Sequence, residues 1–340
     1  MVRAAAFLLS AILLSIRPAG ANLLVETINL PISPGSAQHI ALHCVAARTS
    51  IHKGVLFIHG SSFPTMLAEG FEFRGGDSWM DFMAKQGFLS CGLDFLGYGA
   101  SSRPHGMLEP PDGKTPLLRA PEAAREMDVA TSYMRRNRGI DEVHVIAHSW
   151  GTIPAETFAA HHPGVLTSLT LFGPVVPVPH PDPESEHVAW WSITARERLQ
   201  GLYFRKILPA GVVLLEPAVT RKWAREFAAS APHVAGDAPG EIRIPDGPNA
   251  DIEAAEHGNY PYAPSQVVTP LFVVYGSDDV VANRPAANST AFLDRFRSSP
   301  LKWQLCIHDG THVMHLERNR WSLYESVLGF IRTAEQLKRH

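Results

Sequence analysis

Apolar residues change their spacing repeatedly along this chain, and each change marks an element. Leu23 to Ala46 holds two alternating runs parted by Pro31-Ile32-Ser33-Pro34-Gly35, the pattern of an antiparallel hairpin at the start of a sheet. Gly54-Val55-Leu56-Phe57-Ile58 has no polar position, as expected of a strand covered by helices on both faces. From a cap at Asp77 or Ser78 to Gly87, Trp79, Phe82 and Met83 share one helical face. Phe88 to Phe95 is the next strand, so strand, helix and strand form a parallel unit. Arg103 to Pro121 reads as a surface loop, rich in Pro, Gly and charge, beside the mouth of a site. Pro121 and Glu122 open a helix that reaches about Arg138 and stops at Gly139. The β-branched run Val143 to Ala147 is a strand. It ends at His148-Ser149-Trp150-Gly151, and an Ala-rich helix follows, in which Pro154 should remove one backbone bond and bend the axis. Val165 to Phe172 is a strand closed by Gly173-Pro174.

After Pro174 the pattern changes. Pro177 to Pro183 is a proline-rich exit, His187 to Leu208 and Glu216 to Ala231 carry large apolar residues at helical spacing, and 236–264 is loop-like. The region 175–265 therefore reads as a helical cap inserted into a core made of 22–174 and 266–340. Its aromatics Trp190, Trp191, Tyr203, Phe204, Trp223 and Phe227 are most simply packing residues, and Glu197, Glu226, Glu253 and Glu256 solvated ones. The sheet resumes with Pro270 to Tyr275, which ends in Gly276-Ser277-Asp278-Asp279. Pro285 to Phe296 is a short helix, Lys302 to Ile307 a last strand ending in Asp309-Gly310-Thr311-His312, and Leu316 to Leu337 a closing amphipathic helix.

The 340 residues leave room for a large core and a subdomain. At the N-terminus, Arg3, the apolar run Ala4 to Ile16 and the small-x-small Ala19-Gly20-Ala21 form a secretory leader, cleaved after Ala21, with an apolar part short for a bilayer. The expected location is secreted or periplasmic, with no stable membrane span once the leader is gone. Losing Arg3 and Arg17 takes the net charge from −3 to −5, which disfavours nucleic acid as a partner. Cys44, Cys91 and Cys306 are widely spaced in strand-like runs, so buried thiols are expected, with a Cys44–Cys91 bridge left open.

Ser149, Asp279 and His312 each follow a strand. In an open parallel sheet the carboxyl ends of the strands share one rim, where ligands bind, so these three should meet. Serine needs an imidazole to take its proton, and the imidazole needs a carboxylate to fix its tautomer. The backbone N–H of Trp150 is one expected oxyanion donor and that of Ser61 the second, with Ser62 as alternate. A metal reading of the 17 histidines, centred on His308, His312 and His315, lacks accompanying carboxylate pairs or cysteines, so no metal is expected.

These motifs resemble the α/β-hydrolase fold superfamily, in its capped, single-domain form. The likeness rests on His59-Gly60, Asp94 with Gly97-Tyr98-Gly99-Ala100-Ser101, Ala147-His148-Ser149-Trp150-Gly151, Gly276-Ser277-Asp278-Asp279 and Gly310-Thr311-His312 with His315-Leu316-Glu317, and it covers about 50 to 335. It implies a mostly parallel eight-stranded sheet, helices on both faces, a Ser149–His312–Asp279 triad and no cofactor. Ala147 stands where the family often has Gly and is small enough for the same close approach. The family spacing, three residues after the glycine, selects Asp279 over Asp278. Serine at 149 sets the chain apart from relatives with an aspartate nucleophile. The expected activity is cleavage of a carboxylic ester in a small-molecule substrate. The alternatives are a proline iminopeptidase-like aminopeptidase, another amide or C–C hydrolase on the same triad, and a noncatalytic binding relative.

Overall fold

The computed structural model describes residues 13–16, 23–47, 51–201, 213–232, 234, 236–283 and 287–338. The expected cleavage site at Ala21, the aromatics Tyr203 and Phe204, and the expected helix start at Pro285 lie outside them. In chain order the elements are β1 (Leu13–Ile16), β2 (Leu24–Pro31), β3 (His39–Ala46), β4 (Lys53–Ile58), α1 (Trp79–Lys85), β5 (Leu89–Asp94), α2 (Ala120–Asn137), β6 (Glu142–His148), α3 (Thr152–His161) and β7 (Ser168–Phe172). There follow β8 (Trp190–Thr194), α4 (Ala195–Gln200), α5 (Pro217–Ala228), β9 (Glu241–Pro245), α6 (Gly247–Glu256), β10 (Leu271–Gly276), α7 (Ala287–Asp294), β11 (Lys302–Ile307) and α8 (Arg320–Lys338).

The main sheet runs β1-β2-β3-β5-β4-β6-β7-β10-β11. Eight of these strands make the mostly parallel sheet the sequence implies: β2 and β3 form the antiparallel hairpin, and β5, β4, β6, β7, β10 and β11 run parallel to one another. Among the described residues a ninth strand, β1, pairs antiparallel with β2 at the outer edge. Successive residues of β4 go to opposite faces. Val55 and Phe57 pack with Trp79, Tyr324 and Val327 of α1 and α8, whereas Leu56 and Ile58 pack with Met127, Ile153 and Phe158 of α2 and α3. That double cover is why the run has no polar position. From β4 the chain steps to β5 on one side and then to β6 on the other, so the crevice at a change of direction lies over the carboxyl ends of β4 and β6.

The helix ends follow local chemistry. Ser78 caps α1 through a reciprocal pair: its Oγ accepts from the Asp81 N–H, and the Asp81 carboxylate accepts from the Ser78 N–H, both at 3.0 Å. Pro154 is the third residue of α3, after a 3₁₀ turn over Ser149–Gly151. The first-turn N–H groups of an α-helix have no internal acceptor, so the expected loss of a bond does not arise. No described helix is long and apolar enough to cross a membrane.

Three expectations are corrected. Cys44 and Cys91 face each other across the antiparallel β3–β5 pair, Cα atoms 4.1 Å apart, and form a disulfide in place of two buried thiols. Cys306 is exposed on β11. In the region 175–265, Trp190–Thr194 is a strand, paired antiparallel with β9, where helical spacing predicts helix. The helix begins only after Thr194, which caps α4 in a reciprocal pair with Glu197. The stretch 236–264 holds β9 and α6 where a loop is expected, with Pro248 in the first turn of α6, where its missing N–H costs nothing. The disulfide joins residues 47 apart, so its reduction is expected to lower stability by about 2–4 kcal/mol. Urea unfolding with and without a thiol reductant measures this, and coincident transitions would mean that the thiols are free.

Candidate active site

Ser149 follows the last residue of β6 with φ +56°, in the left-handed region. A non-glycine residue there is strained, and the strain is sustained by tight surroundings. A Cβ on Gly151 would stand 2.3 Å from the His59 carbonyl oxygen, and one on Gly60 would stand 3.1 Å from the Ser149 Cβ. Glycine at both positions lets the end of β4 lie directly against the turn.

His312 comes from the loop after β11 and Asp279 from the loop after β10. Gly276 allows these loops to touch, since a Cβ there would lie 2.0 Å from the Gly310 carbonyl oxygen. The His312 Nε2 is 2.8 Å from the Ser149 Oγ, and its Nδ1 is 2.9 Å from the Asp279 Oδ1. That same oxygen accepts the backbone N–H groups of Val281 and Ala282, at 2.8 and 3.0 Å. With Nδ1–H donated to the carboxylate, Nε2 is left to accept the serine proton. Ser149, Asp279 and His312 are only 4%, 2% and 2% exposed. Gly173, at the end of β7, closes the far side: a Cβ there would meet the Asp279 Oδ2 at 2.8 Å. Asp278 is half-buried. It accepts from the Ser277 Oγ, and its N–H donates to the Gly310 carbonyl, so it helps hold the two loops together.

Behind these residues lies a layer of neutral histidines. The His148 ring stacks on Phe172 at 4.6 Å, and its Nε2 donates to the His312 carbonyl oxygen at 2.8 Å. Burial first, then the neighbouring His315 and His312, push its pKa well below the ordinary value. Burial pushes His315 down to about 3. Charge arising on His312 therefore has no second imidazolium beside it. The His59 Nδ1 donates to the Gly60 carbonyl, and its Nε2 accepts from the Phe95 N–H, which ties the end of β4 to that of β5. Tyr98 donates its hydroxyl to the Ser61 carbonyl at 2.6 Å and so orients that peptide. The histidines of the metal reading do not converge: His308 is exposed beside Asp309, whereas His315 is buried.

Ser61, Ser62, Ser149 and His312 line one narrow chamber, and Trp150 follows Ser149 in the 3₁₀ turn. The chamber has a further wall that the sequence reading did not anticipate, Arg198 of α4, 8% exposed. The residues of 175–265 singled out from sequence do other work. Trp223 and Phe227 are buried, the Trp223 indole N–H donating to the Leu67 carbonyl. Trp190 donates to the Glu109 carbonyl, and the half-buried Trp191 packs against the core. Glu197 caps α4, Glu226 pairs with Lys222, Glu253 pairs with His187, and Glu256 is half-buried. Also unforeseen is His43 on β3, whose Nε2 is 2.9 Å from the Asp94 Oδ2. The Asp94 carboxylate also accepts the N–H groups of Thr65 and Ala100. It fastens the β5 exit, and no spacing in the sequence pairs it with a residue of an antiparallel strand.

A serine at a strained turn, a histidine and a carboxylate thus meet at the strand ends of a doubly covered sheet. The family model for the alpha/beta hydrolase fold matches residues 55–292, and the chain belongs to that family. The "probable lysophospholipase BODYGUARD 1" of Arabidopsis thaliana is 32% identical over 123 residues, which make 36% of this chain and 23% of that protein. The chain thus matches less than a quarter of that relative's length. Among solved structures, a membrane phospholipase A described as a bacterial virulence factor aligns with TM-score 0.55 and 15% identity, over 92% of this chain and 87% of its own. A structure from the carboxylesterases of the thaumarchaeon Nitrososphaera gargenis aligns with TM-score 0.57 and 13% identity, over 91% and 99%. At such identities these two show a shared fold.

Proposed function

We propose that the protein is an exported serine hydrolase that cleaves a carboxylic ester. The observation that carries this reading is the unbroken run of contacts from the Ser149 Oγ through His312 to Asp279. His312 takes the Ser149 proton as Oγ bonds to the ester carbonyl carbon, and the N–H groups of Ser61 and Trp150 stabilise the oxyanion. The imidazolium then gives its proton to the departing alkoxide, leaving an acyl group on Ser149. Water, deprotonated by the same histidine, releases the acid. Asp279 holds the imidazole in the required tautomer. Acyl transfer to water on these side chains calls for no cofactor.

The leader motif and a disulfide, at home in an oxidising compartment, both support export. The region 175–265 acts as the cap that shapes the pocket over a core of 22–174 and 266–340. The charged cap residue lining the chamber is Arg198, a cation. Among the described residues that line the chamber there is no carboxylate to hold a free amine, so the ester reading stands above the aminopeptidase one. The test is a panel of p-nitrophenyl esters, a lysophospholipid and a prolyl-arylamide, offered to the purified protein. Ester hydrolysis without arylamide hydrolysis is expected, and activity on the arylamide alone would overturn the assignment.

A further inference from the structure

We propose that Asp251, on α6 of the cap, is a positioning residue that holds Trp150 and thereby aims its backbone N–H at the oxyanion. The inference rests on the serine hydrolase reading and goes beyond it, because it assigns a role in the chemistry to a residue that touches no substrate.

Asp251 is 3% exposed and gathers three donors. Its Oδ2 accepts the Trp150 indole N–H at 3.0 Å and the Ala120 backbone N–H at 2.6 Å, while its Oδ1 accepts the Arg119 Nε–H at 2.6 Å. One carboxylate thus joins the cap, the start of α2 and the residue after Ser149. The carboxylate itself is held in place. The Gly247 N–H donates to the Leu117 carbonyl at 2.8 Å, and a Cβ on Gly247 would lie 2.3 Å from that oxygen, so the start of α6 is seated on the backbone leading into α2. Leu118, between these contacts, has φ +61°, one of three left-handed non-glycine residues among those described; Ser149 is another. Strain of this kind persists only where neighbours enforce it. Here it marks both ends of the link from Leu118 to Ser149.

The mechanical consequence follows from Trp150 itself. Its indole is fully buried, packed on Phe95 at 5.5 Å between ring centres, and anchored at its far end by Asp251. The indole contact fixes the Trp150 Cα at one end of the peptide between Ser149 and Trp150, and the Ser149 carbonyl oxygen of that peptide accepts from the Thr152 Oγ1 at 2.8 Å, so the peptide is held against turning. With the indole pinned, the N–H keeps its direction at no reorganisation cost during the reaction, the property that makes an oxyanion donor effective.

Asp251→Asn, Trp150→Phe and the double variant form the test, with kcat, KM and urea midpoint measured on an ester, and kcat counted per active site titrated with a fluorophosphonate. Titration removes unfolded molecules from the count, so loss of stability cannot imitate loss of catalysis. Each single variant is expected to lose about 10- to 100-fold in kcat, less than the 100- to 1,000-fold cost of deleting a donor outright, with KM little changed. The double variant is expected to be no worse than the poorer single, because both substitutions break one link. Unchanged kcat with a lowered urea midpoint, or multiplicative losses in the double variant, would overturn the proposal. If Asp251→Asn yields no folded protein, Trp150→Phe decides alone through kcat per titrated site, since it keeps the backbone N–H and an aromatic ring and removes the indole donor. Wild-type activity in Ser149→Ala would instead defeat the underlying hydrolase reading.

Discussion

Replacing Ser149 with alanine is expected to lower kcat on a carboxylic ester by about 10⁴- to 10⁶-fold, with folding unaffected. Ser61 and Ser62 line the same chamber, yet the His312 Nε2 is directed at the Ser149 Oγ, so neither has a base to take its proton. The residual rate would come from the oxyanion donors and from substrate binding, which remain. Steady-state rates on a p-nitrophenyl ester, beside matched urea midpoints, measure this. A variant retaining a tenth of wild-type activity would remove Ser149 from the chemistry.

The second large effect separates two adjacent acids. Asp279→Asn is expected to cost about 10⁴-fold in kcat, because an amide presented to the His312 Nδ1 stabilises the tautomer with its proton on Nε2, and that nitrogen can no longer accept from serine. Asp278→Asn should keep most of the activity, since Asp278 bonds to Ser277 and its peptide to Gly310. Reversal of this ranking, with Asp278→Asn the dead variant, would reassign the acid.

What the sequence made legible was whatever depends on one strand and the turn after it. Val55 to Ile58 announce a strand covered on both faces, and Ser149, Asp279 and His312 each stand just past such a strand, so a parallel sheet was bound to bring them to one rim. Other features depend on which segments lie side by side. Cys44 meets Cys91 because of the β3–β5 register, which spacing along the chain does not encode. Trp190–Thr194 has helical periodicity but is drawn into a strand by pairing with β9, and α6 hides in a stretch whose Gly, Pro and Asp serve as its start. Arg198 and Asp251 look like ordinary surface charges until α4 and α6 pack against the rest of the chain. Their roles belong to tertiary packing, as does that of His43 beside Asp94.

The most direct test of the central claim is intact-mass and peptide mapping of the native protein after treatment with a fluorophosphonate. One adduct per chain, on the peptide containing Ser149 and absent from Ser149→Ala, is the predicted result. No adduct on folded protein, or equal labelling of the alanine variant, would contradict it.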